Sequence, residues 1–383
     1  RRSLQSGAKD YNYVMTLNPV WTARIELWRK ALRELVYSPL GDVPLQGALT
    51  REYLSAEEAR GLARRHFTPG TAWGEAWEYG WFAGRVTLPP QAQGERIVLR
   101  LETGGEGLVW VNGQPAGSRD REHTELTLAQ VGRAGESFDI LAEMYAGHMA
   151  SWFGAGPLLH GRSFMPEPQG TRQVIGQTTY GIWNEEIFQL WLDMTALWEL
   201  AQKLDASALR RAQIERGLKD LTLRVDVERP AVEVREACVA ARKALKPLLD
   251  CRNGSTAPRL FAFGHAHLDV AWLWTRAETE RKTGRTLSNQ LALMDEYPEY
   301  VYLQSQAQLL EMLKARYPEI YARLAEKARA GQLVIEGGTW VEPDTNVPCA
   351  ESLIRQILFG RRYFCEEFGI EPRVFWEPDV FGY

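Results

Sequence analysis

The sequence is poor in cysteine and has no long hydrophobic run. Its 383 residues include four cysteines, none of which forms a Cys-x-x-Cys pair. They are Cys238, Cys251, Cys349 and Cys365. This scatter argues against a disulfide framework and favours a reduced, cytoplasmic chain. No apolar segment approaches the ~20 residues that a transmembrane helix needs, so we expect no membrane partner.

Neither sign of charge dominates the chain. Lysine and arginine number 45 against 49 acidic residues, a net charge of -4, which gives no sign of a nucleic-acid partner. The first residues lack the apolar core of a signal peptide, and residues 1–14 are interpreted as a vector-derived leader. With 45% hydrophobic and 25% charged residues, the composition is that of a globular protein with two or three domains.

The first part of the chain changes from helical to strand periodicity. Apolar residues at helical spacing predict a helix over Thr22–Val36, and Ser55 with Glu58 predicts a capped helix to about His66. From Ala76 to about Tyr145 the period is two, with a hairpin signal at Asn112–Gly113. We therefore predict an N-terminal helical segment over residues 1–69 and a jelly-roll-like β-sandwich over residues 70–182.

The predicted sandwich has two alternative roles. Its tryptophans are candidate platforms for sugar rings: Trp81, Trp110 and Trp152. The alternative, which we favour, is that the sandwich packs on the following domain or forms an interface in a homo-oligomer.

The remaining chain is helical and then alternates between strand and helix. Residues 183–256 predict a helical linker. Within residues 257–383, four apolar segments predict strands, each followed by a helix or by the last motif: Arg259–Phe263, Val301–Gln304, Leu333–Glu336 and Arg373–Trp376. This alternation predicts a parallel α/β sheet whose functional loops lie at the carboxyl ends of the strands.

Residues suited to a metal site follow two of these strands. His265, His267 and Asp269 alternate after the first strand, so an extended backbone would place them on one side. Asp379 follows the last strand and adds a carboxylate at the same rim. Imidazole and carboxylate ligands suit a divalent metal.

The motifs also resemble those of glycoside hydrolase family 38, especially its cytosolic and bacterial α-mannosidases. They occur in the family's order over residues 259–383: Gly-His-x-His-x-Asp-x-x-Trp-Leu-Trp, Gly-Gly-Thr-Trp-Val-Glu-x-Asp and Phe-Trp-x-Pro-Asp-x-Phe-Gly-Tyr. The resemblance implies that the α/β domain is the first part of a (β/α)7 barrel and that the chain is part of a longer enzyme.

The resemblance also assigns roles to individual residues. It implies a divalent metal, with Zn²⁺ favoured and Co²⁺ as the alternative, held by His267, Asp269, Asp379 and a histidine past residue 383. It makes Asp379 the nucleophile of a retaining mechanism. In the same family pattern the sugar is contacted by Trp272 and Phe381. Asp344 is an acidic residue near the substrate. His265 is not a main ligand in the family pattern, and we interpret it as orienting a ligand or the substrate, with a purely structural histidine as the alternative.

These assignments predict a metal-dependent, retaining α-mannosidase that acts on mannose-containing oligosaccharides in the cytoplasm. Residues 1–383 alone are expected to be inactive, because the acid/base and one metal ligand are expected past residue 383. One alternative is a metal-dependent deacetylase or other hydrolase on a related barrel, in which a metal-bound water attacks. Another is a carbohydrate-binding or assembly module dominated by the sandwich.

Overall fold

The computed structural model describes residues 17–147, 170–272 and 274–379. Its helices are α1 (Pro19–Leu35), α2 (Ala56–Arg60), α3 (Glu185–Lys203), α4 (Leu209–Arg224), α5 (Ala231–Leu249), α6 (Arg276–Glu296), α7 (Ala307–Arg316), α8 (Pro318–Ala330) and α9 (Ala350–Phe368). Its strands are β1 (Tyr37–Asp42), β2 (Leu45–Thr50), β3 (Arg65–Phe67), β4 (Ala72–Trp73), β5 (Tyr79–Thr87), β6 (Ile97–Arg100), β7 (Glu106–Val111), β8 (Gln114–Arg119), β9 (Glu125–Ala129), β10 (Ser137–Tyr145), β11 (Gln173–Val174), β12 (Thr179–Trp183), β13 (Gly264–His265), β14 (Tyr302–Gln306) and β15 (Leu333–Thr339).

The chain divides into two compact units. One comprises Arg1–Pro39 and Gly181–Arg259, and the other Leu40–Tyr180 and Leu260–Tyr383. Among the described residues, none of these helices combines the length and the apolar character that a membrane span requires.

The first unit is a group of helices around one apolar core. Helices α1, α3, α4 and α5 each contribute buried side chains to it, including Leu32, Leu190, Leu218 and Leu245. The predicted helices of residues 183–256 are confirmed, because their apolar residues recur at helical spacing and form the buried face.

Most of an antiparallel β-sandwich lies in the second unit. One sheet has the strand order β3-β2-β5-β10-β7-β8 and another the order β1-β12-β6-β9. The predicted hairpin is present: Asn112 and Gly113 both have positive φ, as a two-residue turn between twisted strands requires. Strands β1 to β3 lie within residues 1–69, which the sequence predicts to be helical.

The helix predicted from Ser55 to about His66 is shorter than expected. Its capping box with Glu58 is present, but the helix ends at Arg60. Residues Arg65–Phe67 instead pair with β2 as an edge strand, so sheet pairing outweighs the local helical pattern.

The α/β part of the second unit follows the predicted alternation of strands and helices up to α9, but the fourth predicted strand, Arg373–Trp376, is reduced to a single bridge at Phe375. Strands β13, β14 and β15 are parallel and adjacent in chain order, and Gly337 bridges to Phe375 beyond them. This sequential order brings the end of each strand to one rim.

The first predicted strand of this sheet is wrong in position. Strand pairing begins only at Gly264, after the predicted residues Arg259–Phe263, and Leu260 and Phe261 are 93% and 83% exposed. In the described residues these apolar side chains are not covered, so their apolar character alone does not produce a strand there.

The sandwich and the α/β part of this unit share one hydrophobic core. Trp81, Trp110 and Leu141 from the sandwich are buried in the same cluster as Leu287 and Leu310 from the helices. The expectation that the sandwich packs on the following domain is confirmed for these residues. Trp81 and Trp110 stack on each other and are almost fully buried, so they are not surface platforms for sugar. Trp152 lies outside the described residues.

Buried charges also cross this junction at helix α6. The guanidinium of Arg281 donates to Glu143 at 2.7 Å, and both side chains are 3% exposed. Arg285 donates to Glu278 at 2.6 Å, and Tyr79 of the sandwich also donates to Glu278. Burial raises the pKa of Glu143, but Arg281 opposes this by stabilising the ionised form.

We expect Glu143→Ala to destabilise the protein strongly, by about 3–5 kcal/mol, because it leaves the charge of Arg281 buried and unpaired. The matched control is Asp139→Ala on the same strand, whose ion pair with Arg85 is exposed. The control is expected to lose less than about 1 kcal/mol. Urea denaturation of both variants measures the difference, and equal losses would contradict this account of the junction.

Candidate active site

The candidate site lies where strands β13, β14 and β15 end. Its residues come from the ends of these strands and the segments that follow them: His265, His267 and Asp269, Ser305 and Gln306, Glu342, and Trp376 to Asp379. The parallel arrangement therefore brings side chains more than 100 residues apart in sequence to one rim.

Glu342 is the buried centre of this group. Its side chain is 1% exposed, and its Oε1 lies 3.1 Å from His265 Nε2 while its Oε2 bonds to His267 Nδ1. Ser305 donates to the same carboxylate, and Gln306 Nε2 donates to it at 3.2 Å. A carboxylate enclosed in this way holds both imidazoles at fixed positions.

A glycine-rich irregularity in β15 brings Glu342 to this position. The pairing of β14 with β15 moves from Gln304–Ile335 to Gln306–Thr339, so β15 has two extra residues there. Gly337 has a φ of 97°, and a Cβ on it would lie 2.8 Å from the Cβ of Ser305. A larger residue would therefore clash, and glycine permits the approach.

His267 presents its second ring nitrogen to two further carboxylates. Its Nε2 lies 3.4 Å from Asp269 Oδ1 and 3.8 Å from Asp379 Oδ2. This nitrogen is buried and has no hydrogen-bond partner among the described residues. A histidine with one nitrogen on a carboxylate and the other directed toward further carboxylates has the arrangement of a metal ligand.

The donor set fits a divalent cation, although the described residues do not already form a complete metal-binding group of three. Ligands about 2.0–2.2 Å from one Zn²⁺ lie slightly more than 3 Å from each other, close to the two distances from His267 Nε2. Asp379 is the more distant of the two carboxylates from His267 Nε2, and its side chain is 58% exposed.

The charges of the site are strongly coupled. The hydrogen bond with Glu342 raises the pKa of His267, against the lowering effect of burial. Burial alone would raise the pKa of Glu342, but hydrogen bonds from His265, His267 and Ser305 outweigh it and lower the pKa below its usual value. Glu342 is therefore ionised and keeps a negative charge beneath the histidines.

The other predicted site residues have different surroundings. His265 contacts Ser305, Glu342 and the indole N–H of Trp376, so it lies behind His267 rather than beside Asp269. Trp272 is 55% exposed beside Trp274, as a ring that contacts a ligand would be. Asp344 is exposed and accepts a hydrogen bond from the backbone of Asn346, which makes it a turn residue in this structure. Phe381 lies outside the described residues.

Two carboxylates were not assigned roles from the sequence. The signal for Glu342 is its position directly after a strand end, the same rule that identified Asp269. Glu377 is the second: both of its oxygens are buried without a hydrogen-bond partner among the described residues. Burial raises the pKa of Glu377 to about 7, with a further contribution from the charge of Glu342.

Two protein families match different parts of the chain. Residues 257–383 match the glycosyl hydrolases family 38 N-terminal domain, and residues 35–202 match the jelly roll domain of alpha-mannosidase. These parts contain the candidate site and the sandwich. The part of the chain that contains the candidate site thus matches a domain of glycoside hydrolase family 38.

Individual relatives agree with this assignment. The chain is 34% identical to Alpha-mannosidase 2C1 of Homo sapiens over 88% of its length and 32% of that protein. It is 31% identical to Alpha-mannosidase G of Dictyostelium discoideum over 87% of its length and 30% of that protein. Alpha-mannosidase of Saccharomyces cerevisiae is 47% identical over 32% of this chain and 12% of that protein. The chain thus spans about a third of the length of the first two relatives.

We expect Glu342→Gln to lower the pKa of His267 in the metal-free protein, because the hydrogen bond to the carboxylate is the largest cause that raises it. Titration of His267 by NMR measures the change. The control is Asp344→Asn in the same loop. It removes a carboxylate that does not contribute to the raised pKa of His267. A His267 pKa unaffected by Glu342→Gln would contradict the assigned contact.

Proposed function

We propose that the natural full-length protein is a retaining α-mannosidase that removes terminal α-mannosyl residues from oligosaccharides with the help of a divalent metal. The observation that carries this proposal is the position of His267 Nε2, which lies between Asp269 and Asp379 while Nδ1 is held by buried Glu342. The names of the relatives, all alpha-mannosidases, support the substrate class.

His267, Asp269 and Asp379 would hold the metal. One imidazole and two carboxylates suit Zn²⁺, and Co²⁺ is the alternative. When bound, the metal supplies positive charge that orients sugar hydroxyls and favours the ionised form of nearby carboxylates. Glu342 would keep His267 in the tautomer that leaves Nε2 available, because Nδ1 bears the hydrogen donated to the carboxylate.

Asp379 is the proposed nucleophile. Its side chain is more exposed than those of Glu342 and His267, so a sugar can reach it. Its carboxylate would attack the anomeric carbon, forming an ester while the glycosidic bond to the leaving sugar breaks. Water would then cleave that ester and regenerate Asp379. The acid/base that protonates the leaving oxygen is proposed to lie past residue 383.

Trp272 is proposed to contact the sugar. Its exposed indole follows Asp269 by three residues, so a sugar held at the metal lies within reach of the ring. Stacking against an apolar face of a pyranose would orient the anomeric carbon without adding charge.

The sequential strand order supports a further proposal about the domain. Strands β13 to β15 and the bridge at Phe375 are adjacent in chain order, which is the order of a singly wound barrel. We propose that the natural protein completes a (β/α)7 barrel. A cytoplasmic location is proposed from the scattered, unpaired cysteines.

Removal of metal from the full-length protein is expected to reduce hydrolysis of an aryl α-mannoside by about 10-fold or more. Dialysis against a chelator, followed by addition of Zn²⁺ or Co²⁺, tests this, and the added metal is expected to restore turnover. Turnover that persists without metal would contradict the proposed metal dependence but not the proposed hydrolase activity.

Asp379→Asn is expected to reduce turnover by on the order of 10⁴-fold, because an amide cannot serve as the nucleophile. A fluorinated mannosyl inhibitor should label Asp379 in the wild type, as mass spectrometry of the peptide would show. A hydrolase in which metal-bound water attacks would give no such adduct, and that result would favour the alternative of a deacetylase-like enzyme.

A further inference from the structure

The loop of residues 269–272 carries two proposed site residues, Asp269 and Trp272, and its backbone is unusual at Ala271. Ala271 has a φ of 60°, in the left-handed region that residues with a side chain rarely adopt. Such a conformation persists only where the surroundings fix it, and it is frequent near functional sites. The loop therefore needs an external constraint to keep this shape.

The hydroxyl of Thr279, in the first turn of α6, supplies this constraint. Its Oγ1 accepts from the backbone N–H of Ala271 at 3.0 Å and from the indole N–H of Trp274 at 3.1 Å, and it donates to the carbonyl oxygen of Asp269 at 3.2 Å. A hydroxyl has one donor and two acceptor positions, and all three are used on this loop. Thr279 is fully buried, so water does not compete for these bonds.

The first turn of α6, which bears Thr279, is held in place by contacts of the residues next to Thr279. Glu278 is fully buried and bonded to Tyr79 of the sandwich and to Arg285 of the same helix. Two residues after Thr279, Arg281 forms the buried ion pair with Glu143 of the sandwich. The start of α6 thus contacts the sandwich through its charged side chains and the loop through Thr279.

We infer that Thr279 is a positioning residue of the proposed active site, and that it links the sandwich to the loop that carries Asp269 and Trp272. This inference rests on the proposed function for its effect on catalysis. Thr279 touches neither the proposed metal position nor the sugar. It acts by holding the carbonyl of Asp269, the strained Ala271 and the ring of Trp274 in one arrangement, so that Asp269 stays close to His267 Nε2.

A neighbouring threonine provides a matched control. Thr283 lies one turn further along α6, is also fully buried, and its hydroxyl donates only to the backbone carbonyl of Thr279 at 2.8 Å. Replacement of either threonine by valine keeps the shape and removes the hydroxyl. Loss of helix stability alone would affect both variants similarly, whereas loss of the loop constraint would affect only Thr279→Val.

The experiment compares Thr279→Val, Thr279→Ser and Thr283→Val in the full-length protein. Calorimetric titration of the metal-free protein with Zn²⁺ gives the metal affinity, and an aryl α-mannoside gives kcat and KM. Thr279→Val is expected to weaken Zn²⁺ binding by about 10-fold or more, as loss of an outer contact to a metal site typically does, and to lower kcat/KM at least as much. Thr279→Ser keeps the hydroxyl. We expect the Zn²⁺ affinity and kcat/KM of Thr279→Ser and Thr283→Val to stay within about 3-fold of the wild-type values, a smaller change than loss of an outer contact to a metal site causes.

Equal Zn²⁺ affinities for Thr279→Val and Thr283→Val would overturn the inference. If the wild type binds Zn²⁺ but does not hydrolyse the mannoside, the proposed function fails, while the affinities still test the role of Thr279. If Thr279→Val does not fold, hydrogen exchange in the wild type decides: slow exchange of the Trp274 indole N–H and the Ala271 amide supports the constraint, and exchange at the rate of an open loop refutes it.

Discussion

The enclosure of the Glu342 carboxylate is the interaction on which the geometry of the candidate site depends. A carboxylate that is almost completely removed from water is tolerated only when its oxygens are bonded, and here His265, His267, Ser305 and Gln306 provide those bonds. The same bonds fix the ring of His267 and direct its second nitrogen toward Asp269 and Asp379. The buried negative charge of Glu342 therefore lies at the centre of the site, and the residues that would contact a substrate lie around it.

The sandwich contributes to the site through helix α6. Trp81 and Trp110, which as sequence features suit a sugar-binding surface, are part of a shared core, and Glu143 and Tyr79 hold the first turns of the helix. Thr279 lies in this part of α6 and bonds to the loop that bears Asp269 and Trp272. The sandwich, which carries none of the proposed catalytic groups, is therefore connected to that loop. This arrangement accounts physically for the packing of a jelly roll against a catalytic domain in one compact unit.

Much of the fold was predictable because local patterns and tertiary packing agree. Helices α3 to α5 lie within the segment predicted to be helical, and a helix follows each of strands β13, β14 and β15 as the predicted alternation requires. The failures occur where pairing partners distant in sequence decide the outcome. Residues Arg65–Phe67 join a sheet with β2, and the apolar run before Gly264 stays exposed. Periodicity does not show which surfaces will be covered.

The sequence by itself determined the order of the motifs and the chemical nature of the rim, because the alternation of His265, His267 and Asp269 after a strand and the acid after the last strand are local features. The tertiary structure was needed to show that Glu342 is the common partner of both histidines and that Thr279 holds the loop after Asp269. The role of Glu342 depends on contacts between segments separated by up to 77 residues, which follow from the parallel pairing of strands and from the extra residues in β15. A hydrogen-bonding side chain has the same appearance in the sequence whether its partner is solvent or a buried imidazole, and only the packed structure distinguishes the two.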